Sequence, residues 1–151
     1  MKFFIFKKNI ILFLILLFFT ILQIKIGLFW GYSINFVLYF LIVSCFFVSY
    51  LELLFLNLIA ILLINWKPSL NLEIILLFLI PQIFYLFLKL NKINLFLNLF
   101  FSLIVSNLLF YIFINYKIIF INLNYFLYDT LIGLFIGFFS FYLLKFLNYE
   151  R

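Results

Sequence analysis

Six apolar segments, set off by short polar breaks, run the length of the chain: 9–24, 34–50, 53–66, 70–88, 95–116 and 125–147. Each is predicted to be a membrane helix. Lys2, Lys7 and Lys8 precede the first segment, and no small-residue cleavage site follows it. It therefore reads as an uncleaved helix rather than a signal peptide. The stretch 25–33 carries Gly27 and Gly31 around Phe29, Trp30 and Tyr32. It is expected to be a loop at the membrane interface, where Trp and Tyr settle. Glu52 marks a tight turn, and Lys67-Pro68-Ser69 a second one. The third segment falls short of the roughly 30 Å hydrocarbon core, and Trp66 and Lys67 can close the gap from the interface. Pro81 lies inside the fourth segment and is expected to kink it. The stretches 89–94 and 117–124 read as connections.

The last segment carries the most specific pattern. Two of the four glycines, Gly133 and Gly137, stand four apart, and Thr130 and Ser140 extend the same line. At about 100° per residue these four positions fall within roughly 80° of one another. Such a small-residue stripe lets two helices approach closely. The sixth helix is therefore expected to be the one the others pack around, or to present the stripe to a partner helix or a second copy of the chain.

Composition fixes the solvent. The chain of 151 residues is 71% hydrophobic and 9% charged, whereas soluble domains hold roughly 45–50% and 25%. A chain of this length cannot hide that much apolar surface in a water-soluble globule. The fold class is all-α: a single transmembrane domain, 1–151, built as a bundle of about six helices in contact with the lipid bilayer. Phe, Ile, Asn and Lys are abundant, and Ala, Gly, Arg and Pro are scarce. That is the bias an A/T-rich genome imposes, so individual choices among these residues say little.

Charge sets the orientation. With six helices, Lys2, Lys7, Lys8, Lys89, Lys92, Lys145 and Arg151 lie on one side, and Lys25, Lys67 and Lys117 on the other. Seven against three places both termini in the cytoplasm. The net charge of +6 is thus topology information. No basic module accompanies it, so no nucleic-acid partner is expected.

Candidate chemistry is sparse. There is no His and one Cys, Cys45, so no ordinary metal site, disulfide or cofactor is expected, nor is catalysis. Glu73 and Asp129 each fall in the first turn of a helix starting at the outer face. There the macrodipole favours a carboxylate, and the two form a candidate outer vestibule. On the fifth helix Asn94, Asn98, Ser102 and Ser106 advance by four, and Asn107, Tyr111 and Asn115 form a second line. With Asn57 and Asn65 on the third helix, they are candidates for hydrogen bonds between helices or for a solute cavity.

Leu22-Gln23 at the end of the first helix, a short interfacial loop, and Ser33-Ile34-Asn35 opening the second together resemble the bacterial MreD family of rod-shape-determining membrane proteins. Where that family ends its third helix in a Gly-Leu-x-x-Asp motif, this chain has Ala60 in place of the glycine and Asn65 in place of the aspartate, with Pro68 in the turn that follows. The resemblance implies a non-enzymatic, multi-pass subunit of the plasma (inner) membrane. Its partners would be a scaffold protein and the peptidoglycan synthases of the cell-elongation machinery. MreD-like proteins are in turn similar in helix count to the substrate-binding subunits of energy-coupling-factor vitamin transporters, which gives an alternative: a subunit that binds a small solute from outside. On that alternative Glu73, Asp129, Trp30 and the asparagine lines would line a pocket.

Overall fold

The computed structural model describes residues 2–30, 34–64, 71–90 and 94–147, with the side chains of 2–9, 30, 115 and 117–121 outside the description. These residues form six helices and no strand: α1 (Lys2–Trp30), α2 (Phe36–Ser44), α3 (Tyr50–Ile64), α4 (Leu72–Leu90), α5 (Leu95–Ile121) and α6 (Leu123–Phe146). Four of them hold stretches long and apolar enough to cross a membrane: Ile10–Phe29, Leu72–Leu90, Leu95–Ile114 and Leu123–Phe146. Helix α3 is apolar but shorter. Large side chains such as Leu28, Phe29, Phe135 and Phe146 stand exposed on the outside. Such an exterior suits a lipid environment rather than water.

The element bounds depart from expectation at three places. The stretch through Gly27 to Trp30 is not a loop, because α1 continues through it. Gly27 costs only about 1 kcal/mol in a helix, and no proline is present to end it. Helix α2 is much shorter than 34–50. Ser44 and Cys45 turn their side chains back onto the carbonyls of Phe40 and Leu41. The chain then tightens into i→i+3 bonds from Phe46 to Val43 and Phe47 to Ser44. Side chains that bond back in this way compete with the helix ladder and bend it. The connection expected at 117–124 shrinks to Asn122, since nothing in Lys117–Ile121 breaks a helix and α5 runs on to Ile121.

The centre of the bundle is α2, not α6. All nine of its residues are buried, and it touches each of the other five helices, whereas α6 packs on α5 and α2. Phe36-Val-Leu-Tyr-Phe-Leu-Ile-Val-Ser44 has no polar face to turn outward, and a helix apolar all round belongs in a core. At 1.5 Å per residue this helix is only about 13 Å long, well under the membrane core. A capping box begins α3: the Ser49 N–H and hydroxyl donate to Glu52 Oε2 at 2.7 and 2.9 Å, and the Glu52 N–H faces Ser49 Oγ. Glu52 is therefore not the turn expected there: it lies in the first turn of α3, and the chain turns just before Ser49. Pro81 sits inside α4 beside two cross-helix bonds to α4 carbonyls. Asn57 Nδ2 donates to Phe78 O at 3.4 Å, and the Cys45 sulfur, whose one proton is shared between this carbonyl and that of Leu41, lies 3.4 Å from Pro81 O. Neighbouring helices commonly serve backbone carbonyls in this way around a membrane-helix proline.

Candidate functional site

The start of α2 is buried, so its amide donors need partners from other helices. Asn35, in the N-cap position, supplies no side-chain cap. Instead Gln23 of α1 reaches over, and its Oε1 accepts the Val37 N–H at 3.0 Å. From the opposite side comes Asp129 of α6, whose carboxyl faces the Asn35 backbone and the side chains of Tyr39, Tyr111 and Asn107. The Tyr39 hydroxyl lies 3.2 Å from Asp129 Oδ2 and 3.1 Å from the Asp129 carbonyl oxygen. Two side chains distant in sequence therefore hold the amino end of the central helix, and an acidic group at that end is electrostatically favoured.

Asp129 is not at a helix start. With α6 beginning at Leu123 it lies nearly two turns in, and it is only 1% exposed. Glu73 does stand in the first turn of α4, exposed as expected. The two carboxylates are consequently unequal. Glu73 lines an open cavity of about 200 Å³, while Asp129 lies behind two of that cavity's wall residues, Tyr111 and Asn35. Gln23 and Tyr125 complete the polar wall, and Ile61, Leu77 and Phe110 belong to its apolar part. Five helices and Asn35, the N-cap of α2, contribute to this cavity. It opens at the end of the bundle where α1, α3 and α5 finish and α4 and α6 begin.

The small-residue stripe is used inside the fold. A Cβ on Gly133 would strike the Tyr39 ring, and one on Gly137 would meet the Leu103 side chain of α5. Thr130 accepts from Asn107 Nδ2 at 2.9 Å and donates to Phe126 O at 2.7 Å. Because the Thr130 proton is spent on Phe126, the Asn107 atom facing it must be the NH₂ group, which fixes the orientation of the amide. Ser140 is fully buried.

The polar lines of α5 separate in role. Asn107 bonds across to α6 and Tyr111 enters the cavity wall. In the other line Ser106 donates to Leu103 O of its own helix, and Asn94 accepts the Phe96 N–H at the start of α5. Asn98 and Ser102 are buried. Asn65 and the side chains of Trp30 and Asn115 lie outside the described residues. Sequence reasoning gave no role at this site to Tyr39 and Tyr125 and used Gln23 and Asn35 only as marks of a resemblance. Their one available signal was polarity within apolar runs, a weak signal for tyrosine in a chain with ten of them.

The described residues define an all-helical, multi-pass membrane protein with a largely apolar cavity, carrying a few convergent polar groups, at the start of a buried short helix. No protein-family model matches the chain, and neither a curated protein nor a solved structure matches it.

Proposed function

We propose that the chain is a solute-binding subunit of the plasma membrane, acting by recognition rather than catalysis, with six membrane-embedded helices and both termini cytoplasmic. The observation that carries this reading is the cavity at the start of α2, to which the other five helices and the α2 N-cap residue Asn35 contribute and where five polar residues converge among apolar ones. A concave, mostly apolar site with a few convergent polar groups is the usual form of a small-molecule site. The charge bias of the connections turns this end of the bundle to the outside, so solute would enter from there. Of the two expectations raised by the sequence, this one is akin to the vitamin-binding subunits. A cavity of about 200 Å³ is, however, below the roughly 300–1,000 Å³ of drug-sized sites, so the solute is smaller than a vitamin. The purified chain, screened by thermal denaturation against a set of small metabolites, should be stabilised by a narrow class of them. A flat screen would remove the proposal.

A second reading, as a subunit of the cell-elongation machinery resembling MreD, is favoured by a different feature. An apolar groove of about 440 Å³ runs between α1 and α3, lined by Ile10, Phe13, Phe55 and Ile59 with Glu52 at its polar end. On that reading a partner's membrane helix would lie there. Depletion would then round the cells, and the chain would co-purify with peptidoglycan synthases.

A further inference from the structure

We propose that the cavity at the start of α2 takes a small organic ammonium group of about the size of choline. This rests on the solute-binding reading above and names its ligand class. Charge comes first. Among the described residues, Glu73 is the one charged side chain in the wall. Directly behind the wall lies Asp129, 1% exposed, whose Oδ1 has no hydrogen-bond partner among the described residues. Two carboxyl groups beside a low-dielectric cavity focus a field that attracts cations and repels anions.

The walls then select the kind of cation. Phe110, Tyr111 and Tyr125 line the cavity. The Tyr111 ring stands nearly perpendicular to both others, at 86° to Phe110 and 83° to Tyr125, with centroids 6.3 Å away in each case. The faces of such rings attract a cation, as in the cages that bind alkylammonium groups. A divalent metal ion is a poorer fit, because it takes several carboxylate and carbonyl oxygens where this wall presents one carboxylate. Gln23 spends its carbonyl oxygen on Val37 and retains an NH₂ donor suited to a ligand hydroxyl. Size sets the limit. At about 30 Å³ per water, 200 Å³ holds roughly six or seven non-hydrogen atoms. The same ammonium chemistry is offered by free choline and by a choline lipid headgroup.

The test uses the full chain in nanodiscs of anionic phosphatidylglycerol, titrated with choline, tetramethylammonium and the neutral isostere 3,3-dimethyl-1-butanol. The two cations should bind and raise the melting temperature, and the neutral isostere should bind at least about tenfold more weakly, having lost the attraction of a positive charge to the carboxylate and the ring faces. Glu73→Gln, at an exposed helix start, should weaken choline by a similar factor while lowering the melting of the unliganded protein only slightly, by the loss of the helix-dipole contribution. Tyr125→Phe should retain affinity and Tyr125→Leu should lose it. Competition by added phosphatidylcholine would assign the lipid headgroup, and its absence the free solute. Equal binding of choline and its neutral isostere, or an unaffected Glu73→Gln variant, would overturn the ammonium assignment while leaving a solute site. Failure of every metabolite in the broader screen would instead overturn the solute-binding reading itself.

Discussion

The Tyr39 hydroxyl sits 3.2 Å from Oδ2 of Asp129, and the ring of the same tyrosine covers Gly133 one turn further along α6. One side chain of α2 thus fixes two positions of α6, one by a hydrogen bond and one by contact. Tyr39→Phe keeps the ring and removes the hydroxyl, leaving a buried carboxyl short of a donor. The expected cost is about 1–3 kcal/mol. It should appear as a lower melting temperature in detergent, and unchanged melting would show that the bond contributes nothing.

The two glycines of α6 should respond unequally to the same change. Gly133→Ala drives a methyl into the Tyr39 ring, which is buried and held at its hydroxyl end by Asp129. Gly137→Ala meets the tip of Leu103, a flexible side chain that can turn aside. Overpacking of a fixed neighbour costs typically about 1–3 kcal/mol. Gly133→Ala should lie in that range and Gly137→Ala below it, while Gly137→Leu should sharply reduce the yield of folded protein. Recovery of monodisperse protein by size-exclusion chromatography, followed by melting, ranks the three.

Removing the cap on α2 should be costly although Gln23 is far from it in sequence. Gln23→Leu leaves the Val37 N–H buried without its acceptor, at about 1–3 kcal/mol. Gln23→Glu retains an acceptor and should cost less. If hydrogen exchange at the start of α2 is equally slow in the wild type and in Gln23→Leu, the cap is not what holds it.

Cys45 should act as a reporter of the core. It is fully buried, and its thiol lies 3.3 Å from Leu41 O and 3.4 Å from Pro81 O. A maleimide should fail to label it in the native protein and label it stoichiometrically after denaturation in sodium dodecyl sulfate. Rapid native labelling would mean that α2 is not enclosed as described.

Much of the fold was legible because it depends on local composition. The polar breaks separated six helices, although Glu52, read as a turn, lies inside the first turn of α3. Element ends were misjudged where the deciding force was not composition. Gly27 looked like a loop residue but lies within a helix long enough to absorb its cost. Asp129 reads as a helix-start residue if Lys117–Asn124 is a connection, but α5 runs on to Ile121 and α6 begins at Leu123.

The sequence by itself determined the solvent, the helical class and the small-residue stripe, since each follows from residue type and spacing along one segment. Only the tertiary structure decided that α2 is the centre, that the stripe closes on Tyr39 and Leu103, and that Glu73 lines the cavity while Asp129 lies behind it. In a chain where nearly every helix face is apolar, periodicity does not distinguish the face that meets lipid from the face that meets protein. That choice is made by the few buried polar groups, whose partners stand as far apart in sequence as Tyr39 and Asp129.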